Sequence, residues 1–327
     1  MWLRAYCYAN CGRAALPDPS LRSPHQRPGE AEMSEIVVKE DLTPVTKLFE
    51  VRAPAVAHRV QPGHRVQPGQ FVIVRINERA ERIPLTVADW DRERGTLTLV
   101  VQEVGKTTMQ MGTMQPGDRF ASLTGPLGRP SEVENCGTVL CVGGGSSIAA
   151  IYPLARALRE VGNTVLSIIG ARTRDLIFWE DRIRSVSDEL IVCTDDGSYG
   201  RQGVVTVPMK EMLEAGRRID HVWAIGPAIM MKFCALTTLP FGVPTTVSLN
   251  STMVDGTGMC GACRVEVGGK TRFACVDGPK FDGHQVNWDM LLARQCIYLD
   301  QEKRAVEKWE QECRSLGGPH GATQALR

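Results

Sequence analysis

The 327-residue sequence has no excess of charge of either sign: 38 Lys and Arg oppose 37 Asp and Glu, a formal net charge of +1. No broad basic field attracts nucleic acid, and no acidic excess marks a solvating tail. Long hydrophobic runs are missing too; the apolar stretches at 139–142 and 164–169 fall far short of a membrane span. The N-terminal segment contains no apolar h-region, which excludes a secretory signal peptide. These absences lead us to expect a soluble, cytoplasmic chain with neither nucleic acid nor membrane as partner.

Length alone gives about two to three structural units. Eleven cysteines in a large, Met-rich chain with alternating strand and helix patterns read as reduced thiols rather than a disulfide framework. Residues 1–32 hold Cys7, Cys11 and four prolines without periodicity. We expect a disordered leader, or an upstream start added to a protein that functions from Met33.

Between residues 33 and 133 short strands alternate with Gly and Pro turns, at 36–39, 46–51, 71–76, 96–102 and 119–123, which predicts a small antiparallel barrel. A hexapeptide, His58-Arg-Val-Gln-Pro-Gly63, repeats at once as His64 to Gly69. Six residues are too few for a solenoid unit, so this is a lengthened loop. From 134 to 249 the grammar becomes strand, Gly-rich turn, helix, strand, with strands at 139–142, 164–169, 189–194, 221–225 and 245–249 and helices at 148–161, 207–215 and 228–235. That order predicts about five parallel strands covered by helices. A Cys-rich module at 250–288 and a helical tail at 289–327 complete the expected order, a β plus α/β architecture.

Gly143, Gly144 and Gly145 lie where a strand hands over to a helix, a position whose free N–H groups can hold a phosphate. The run lacks the spaced G-x-G-x-x-G fingerprint, and a tight turn is the competing reading. Gly226-Pro227 and the 194–200 loop, with Asp195, follow two other strands, so three small-residue loops gather at the carboxyl edge of one sheet. The second strand ends in Gly170-Ala-Arg-Thr-Arg-Asp175, without an acid at its tip for a ribose hydroxyl. Arg172 and Arg174 suit a 2′-phosphate or simply line a solvated loop, which leaves NAD and NADP both open.

In the barrel, Arg82-Ile-Pro-Leu-Thr86 puts Arg82 and Thr86 on one face of a strand, with Pro84 between them. An Arg fork suits a pyrophosphate, and a Thr hydroxyl can bond a flavin ring nitrogen. Gly105-Lys-Thr-Thr108 is a second phosphate cradle at a helix start. These motifs, with Gly125-Pro-Leu-Gly128, the glycine loop and Gly226-Pro227, resemble the ferredoxin-reductase superfamily of FAD- and NAD(P)-binding proteins. Within it the chain is similar to the group holding dihydroorotate dehydrogenase electron-transfer subunits, sulfide dehydrogenase beta subunits and small subunits of NADH-dependent reduced ferredoxin:NADP oxidoreductases. The resemblance implies that Arg82, Pro84, Leu85 and Thr86 hold FAD, with Thr86 at the isoalloxazine as the catalytic position. It implies that Gly105, Lys106, Thr107 and Thr108 meet FAD phosphate. It assigns Gly143, Gly144, Gly145, Arg172, Asp195, Gly226 and Pro227 to NAD(P)H. Relatives commonly read Gly-Gly-Gly-Val-Gly-Ile-Ala-Pro, whereas Ser146, Ser147 and Ala150 stand here in place of the later Val, Gly and Pro.

The strongest local signal is Asp255, Cys260, Cys263 and Cys275, spaced D-x4-C-x2-C-x11-C. Plant-type 2Fe-2S sites use C-x4-C-x2-C with a distant fourth Cys, and this segment has that layout with Asp first. Gly256, Gly258 and Gly261 allow a tight loop whose N–H groups aim at sulfur. A zinc knuckle recruiting His284, or Cys296 as the fourth cluster ligand, are the alternatives. Asp in the first position is similar to the ferredoxin:NADP small subunits; dihydroorotate-type subunits usually carry Cys there. The remaining Cys136, Cys141, Cys193 and Cys234 read as buried filler.

The expected function is transfer of electrons between NAD(P)H, FAD and a 2Fe-2S cluster, with a partner subunit completing a heterodimer. By resemblance that partner is a glutamate-synthase-like flavoprotein, or else the catalytic subunit of a dihydroorotate dehydrogenase complex. A reading from another class is a redox-sensing binding module with a structural metal.

Overall fold

A computed structural model describes residues 34–57 and 66–315, so the expected leader and most of the tandem hexapeptide lie outside the described residues. Six strands come first: β1 (Ile36–Thr43), β2 (Thr46–Arg52), β3 (Phe71–Arg75), β4 (Ile83–Asp91), β5 (Thr96–Gln102) and β6 (Ser122–Leu127). The short α1 (Pro54–Ala57) follows β2, and α2 (Lys106–Thr113) follows β5. The strands form one antiparallel sheet in the order β1-β2-β5-β4-β3-β6. Hydrogen bonds from Ile36 N–H to Asp118 O (2.9 Å) and from Phe120 N–H to Ser34 O (3.1 Å) bring the approach to β6 back to β1, rolling the sheet into a barrel.

Alternation decides what fills it. Val72, Val74, Leu85, Val87, Leu97 and Leu99 point inward with Phe49 and Met111. Phe71 and Ile73 point the other way, yet they are equally buried, in a second core that includes Leu140, Leu249, Met253, Cys263 and Cys275. Both faces of β3 are therefore covered, and its outer face is where the rest of the chain meets the barrel.

The second sheet contains β7 (Thr138–Gly144), β8 (Thr164–Ala171), β9 (Glu189–Thr194), β10 (Arg201–Gln202), β11 (His221–Ile225) and β12 (Thr245–Ser248). Their order, β10-β9-β8-β7-β11-β12, is parallel throughout. Helices α3 (Ile148–Glu160), α4 (Glu180–Ser185), α5 (Thr206–Glu214) and α6 (Ala228–Thr238) connect these strands. Ile148, Ile151, Leu154, Ala155 and Leu158 repeat at helical spacing on the buried side of α3. Because β8 and β9 lie to one side of β7 and β11 and β12 to the other, the strand order reverses between β7 and β11.

A hairpin of β13 (Arg264–Val267) and β14 (Lys270–Phe273) follows, then α7 (Ala274–Asp277) and β15 (Lys280–Asp282). β15 joins the second sheet antiparallel to β12, an edge strand that the sequence does not announce. Helices α8 (Trp288–Gln295) and α9 (Leu299–Ser315) end the described chain.

Two expectations need correction. The strand read at 119–123 is displaced to Ser122–Leu127 and runs through Gly125-Pro126, which an edge strand tolerates because proline there forfeits no ladder bond. Cys136, expected as buried filler, is exposed, whereas Cys141, Cys193 and Cys234 are buried. Burial pushes the Cys141 and Cys234 thiols up to about 12 and the Cys193 thiol to about 11, so these three stay protonated.

Candidate functional site

Arg82 precedes β4, and along that strand Pro84 and Thr86 are exposed while Leu85 and Val87 are buried. Arg82, Pro84 and Thr86 thus share the outer face. Across the ladder Thr86 pairs with Phe71 and Pro84 with Ile73, so this face continues into the buried outer face of β3. Leu85, in the same motif, points into the barrel core and supports the strand from behind.

Gly105 caps α2 in an extended conformation, and a Cβ there would meet nothing within 4 Å, which leaves open space before the helix N-terminus. The Thr108 hydroxyl accepts from Val104 N–H and Gly105 N–H, both at 3.0 Å. The buried Thr107 hydroxyl donates to Glu81 Oε2 at 3.1 Å. Both threonine side chains are therefore committed to shaping the cradle, and the Thr107 bond ties it to the residue next to Arg82. The Lys106 side chain and the free N–H groups of the first helical turn remain for an anion.

On the second sheet, Gly143 pairs with Ile225, so the glycine loop and Gly226-Pro227 sit side by side where the strand order reverses. A Cβ on Gly226 would come within 3.5 Å of Gly144 Cα, and side chains at Gly144 or Gly226 would collide with Met230. Gly145 has φ +58°, with open space around it at the start of the turn leading into α3. Such a crevice at a topological switch point suits a dinucleotide. Arg172 and Asp195 are exposed on neighbouring loops, linked by Asp195 N–H to Ala171 O at 3.1 Å. Beside them Arg174 lies 5.2 Å above the Tyr199 ring, and the Tyr199 hydroxyl donates to Glu180 Oε2 at 2.9 Å.

In the Cys-rich module, the β13–β14 hairpin turns on Gly268 and Gly269, both at positive φ (60° and 69°). Its ladder pairs Arg264 with Phe273, so Cys263 just before and Cys275 just after are forced together, their sulfurs 3.1 Å apart as free thiols. Asp255 faces the same loop: Oδ1 accepts from Thr257 N–H at 2.9 Å and Oδ2 from Cys260 N–H at 2.8 Å. These bonds, Thr257 first, hold the Asp255 carboxyl below the usual carboxylate range, so it is available as an anionic donor. Burial, then the neighbouring Cys263, pushes the Cys275 thiol up to about 12, while the Gly258 N–H opposes the rise by pointing at its sulfur. Gly256, Gly258 and Gly261 all take positive φ (76°, 85° and 68°), as a loop wrapped around an inorganic centre requires.

Of the two alternative donors, His284 is engaged elsewhere, its Nε2 lying 2.9 Å from Thr238 Oγ1, whereas Cys296 is a free, exposed thiol at the end of α8. By type, three thiols and one carboxylate on a glycine-rich loop are donors for a 2Fe-2S centre rather than a zinc knuckle. The structure brings only the Cys263 and Cys275 sulfurs together, however, and among the described residues no three His, Cys, Asp or Glu side chains converge as a metal-binding group.

Residues without a chemical signature in the sequence bring these sites together. A Cβ on Gly256 would lie 2.6 Å from Leu127 Cδ1 and 3.0 Å from Ile73 Cγ1. A Cβ on Gly128 would lie 2.8 Å from the Phe71 ring and 3.0 Å from Pro279 Cδ. The buried Gln70 donates to Gly128 O at 2.9 Å. The loop bearing Asp255 is thus seated on the outer barrel face that continues to Pro84 and Thr86. A cavity of about 550 Å³ opens instead at the amino edge of the second sheet, beside Arg129, His221, Trp223 and Lys280. It lies away from both the glycine loop and Thr86.

The iron-sulfur cluster binding domain of dihydroorotate dehydrogenase B matches residues 250–287. A Thermotoga maritima protein described as a dihydroorotate dehydrogenase B (NAD(+)) electron transfer subunit homolog is 49% identical over 281 residues, 86% of this chain and 97% of the relative. The chain belongs to the dihydroorotate dehydrogenase B electron transfer subunit family. The corresponding subunit of Geobacillus thermodenitrificans is 35% identical over 240 residues, 71% of this chain and 88% of its own. A solved chain described as the NADH-dependent reduced ferredoxin-NADP oxidoreductase, studied for flavin-based electron bifurcation, is 49% identical with TM-score 0.79, covering 85% of this chain and 98% of that one. An Amycolatopsis cytochrome P450 reductase, 21% identical with TM-score 0.54, shares the fold over 64% of this chain and 65% of its own. The chain is therefore an electron-transfer subunit with a ferredoxin-reductase-like fold and an iron-sulfur binding segment. Among the described residues, no helix is long and apolar enough to cross a membrane.

Proposed function

We propose that this subunit carries electrons between NAD(P)H and a partner oxidoreductase through FAD on the barrel and a 2Fe-2S cluster on the Cys-rich loop. FAD held there would supply the conversion between the two-electron hydride chemistry of a nicotinamide and the one-electron chemistry of a 2Fe-2S cluster. The observation that carries the reading is the seat of Gly256 on Ile73, the residue paired with Pro84 of the flavin motif.

The chain's own residues bind and orient. Arg82 anchors the pyrophosphate together with Lys106 and the N–H groups at Lys106, Thr107 and Thr108, and Gly105 leaves the space in which it approaches. Thr86 holds the flavin ring edge by hydrogen bond, and Pro84 and Leu85 keep the strand straight beneath it. Gly143, Gly144, Gly145, Gly226 and Pro227 receive the dinucleotide at the switch point, with Arg172 and Asp195 toward its far end. Asp255, Cys260, Cys263 and Cys275 ligate the cluster. No side chain has to act as a general base.

The partner we infer is a glutamate-synthase-like flavoprotein subunit, in a complex of the NADH-dependent reduced ferredoxin:NADP oxidoreductase type. Asp at position 255 and the 49% identity to that solved chain support it. A dihydroorotate dehydrogenase complex is the second reading, favoured by the match at residues 250–287. Anaerobic titration of the purified chain with NADH, and separately with NADPH, tests the core of the proposal. Flavin absorbance should bleach first and cluster absorbance after it. Bleaching by neither nucleotide would contradict the reading.

A further inference from the structure

Lys280 opens β15, five residues after Cys275, and its side chain is half-buried. The amine reaches out of its own module into the barrel. It donates to Arg129 O at 3.0 Å and to Gly69 O. Gly69 has φ +79° and lies two residues before Phe71, while Arg129 follows the Gly128 that packs on Phe71. One side chain thus ties together the two barrel segments that flank the outer face of β3.

A third group faces the same point. Ser131 Oγ is the one buried side-chain oxygen or nitrogen among the described residues without a hydrogen-bond partner. A Cβ on Gly69 would meet both Ser131 Oγ and Lys280 Nζ, so amine and hydroxyl converge on the glycine's open side. The amine thus donates to two carbonyls, with the Ser131 hydroxyl beside it and not bonded to it. The neighbouring backbone completes the attachment, with Arg129 N–H on Gly278 O at 2.6 Å and Arg129 Nε on Val276 O at 3.2 Å. Val276 follows Cys275 and Gly256 follows Asp255, so the 127–129 segment holds the residues next to the first and last donors of the set.

We propose that Lys280 is a positioning residue that locks the cluster loop onto the flavin face of the barrel and so sets the rate of electron passage between them. This rests on the electron-transfer reading above. The side chain touches neither cofactor motif; it acts through Gly69 and Arg129. Removing its donors takes this partner from the buried Gly69 carbonyl and the exposed Arg129 carbonyl and frees the loop to move away from the flavin face, which slows electron passage as the gap widens.

The test compares the full-length wild type with Lys280→Met, which keeps the stem and loses the donors. Each loaded protein is mixed anaerobically with NADH in a stopped-flow instrument. We expect the flavin phase to match wild type and the cluster phase to slow several-fold. Lys280→Arg, which restores donors, should recover most of that loss. If Lys280→Met does not accumulate folded, Lys280→Leu, which likewise has no donor, takes its place with the same expectations. Amide hydrogen exchange on the cofactor-free chains supplies a second readout: segments 67–70 and 128–131 should lose protection in the variant. A wild-type cluster phase in a loaded variant, equal slowing of both phases, or unchanged exchange at both segments would overturn the proposal. A wild-type chain that binds no flavin or iron would defeat the electron-transfer reading instead, and the exchange comparison would still judge Lys280.

Discussion

Gly256 lies against Ile73 so closely that a side-chain carbon at residue 256 would come within 3.0 Å of Ile73 Cγ1. Its φ of +76° is equally hostile to any other residue. Gly256→Ala should therefore lift the loop off the barrel and destabilise the protein by about 1–3 kcal/mol. Thermal unfolding of wild type and variant checks the stability, and iron content checks that the loop still closes around metal.

Asp255 is the donor that most distinguishes this loop from a four-cysteine one. Asp255→Ala should lower bound iron and sulfide well below wild type if the carboxylate, rather than the free thiol of Cys296, is the fourth ligand. Asp255→Cys should keep the cluster with an altered potential, since a thiolate carries the same charge. Iron analysis and a redox titration measure both. Unchanged iron in Asp255→Ala would show that the carboxylate only caps Thr257 and Cys260.

Arg156 on α3 pairs with Asp89 on β4 at 3.0 Å and lies between the rings of Trp90 (5.4 Å) and Tyr152 (5.1 Å). Arg182 extends the stack from Tyr152 to Trp179. The pair joins the strand of Thr86 to the helix that follows the glycine loop. Arg156→Met should cost about 1–2 kcal/mol of stability. It should also slow the reduction of flavin by NADH, because the two surfaces that face each other lose a tie. Calorimetry and stopped-flow absorbance measure the two effects.

His221 is held by a 2.9 Å contact to Thr246 Oγ1, with its ring 5.0 Å from that of Trp223. Burial lowers its pKa, so the folded protein binds this proton less readily than the unfolded chain does. Above the unfolded value of about 6.5 both states are neutral there and the group has no effect on stability. As pH falls below that value, the unfolded state takes up the proton first and stability declines until the folded pKa is reached. His221→Gln should flatten this part of the curve. Denaturant midpoints between about pH 5 and 8 would show it.

Much of this arrangement is legible in the sequence because local rules write it there. The alternation from Thr96 to Gln102, the glycines at 143–145 and the cysteine spacing each follow from chemistry within a few residues. β13 and β14 could also have been read, since Gly268-Gly269 between two four-residue strands is a hairpin turn.

What sequence reading missed depends on contacts between distant residues. Nothing around Lys280 shows that it reaches Gly69, 211 positions earlier. Nor does the Gly105 to Thr108 motif show that Thr107 is committed to Glu81 and Thr108 to capping. Cys136 failed for a related reason: a cysteine beside a strand resembles one inside it until the strand's true start, Thr138, is known.

The content of the isolated chain decides the assignment. Purified without oxygen and assayed for flavin, iron, acid-labile sulfide and zinc, it should hold about one flavin, two irons and two sulfides per chain. A colourless protein, or one whose Cys-rich loop carries zinc in place of iron and sulfide, would contradict it.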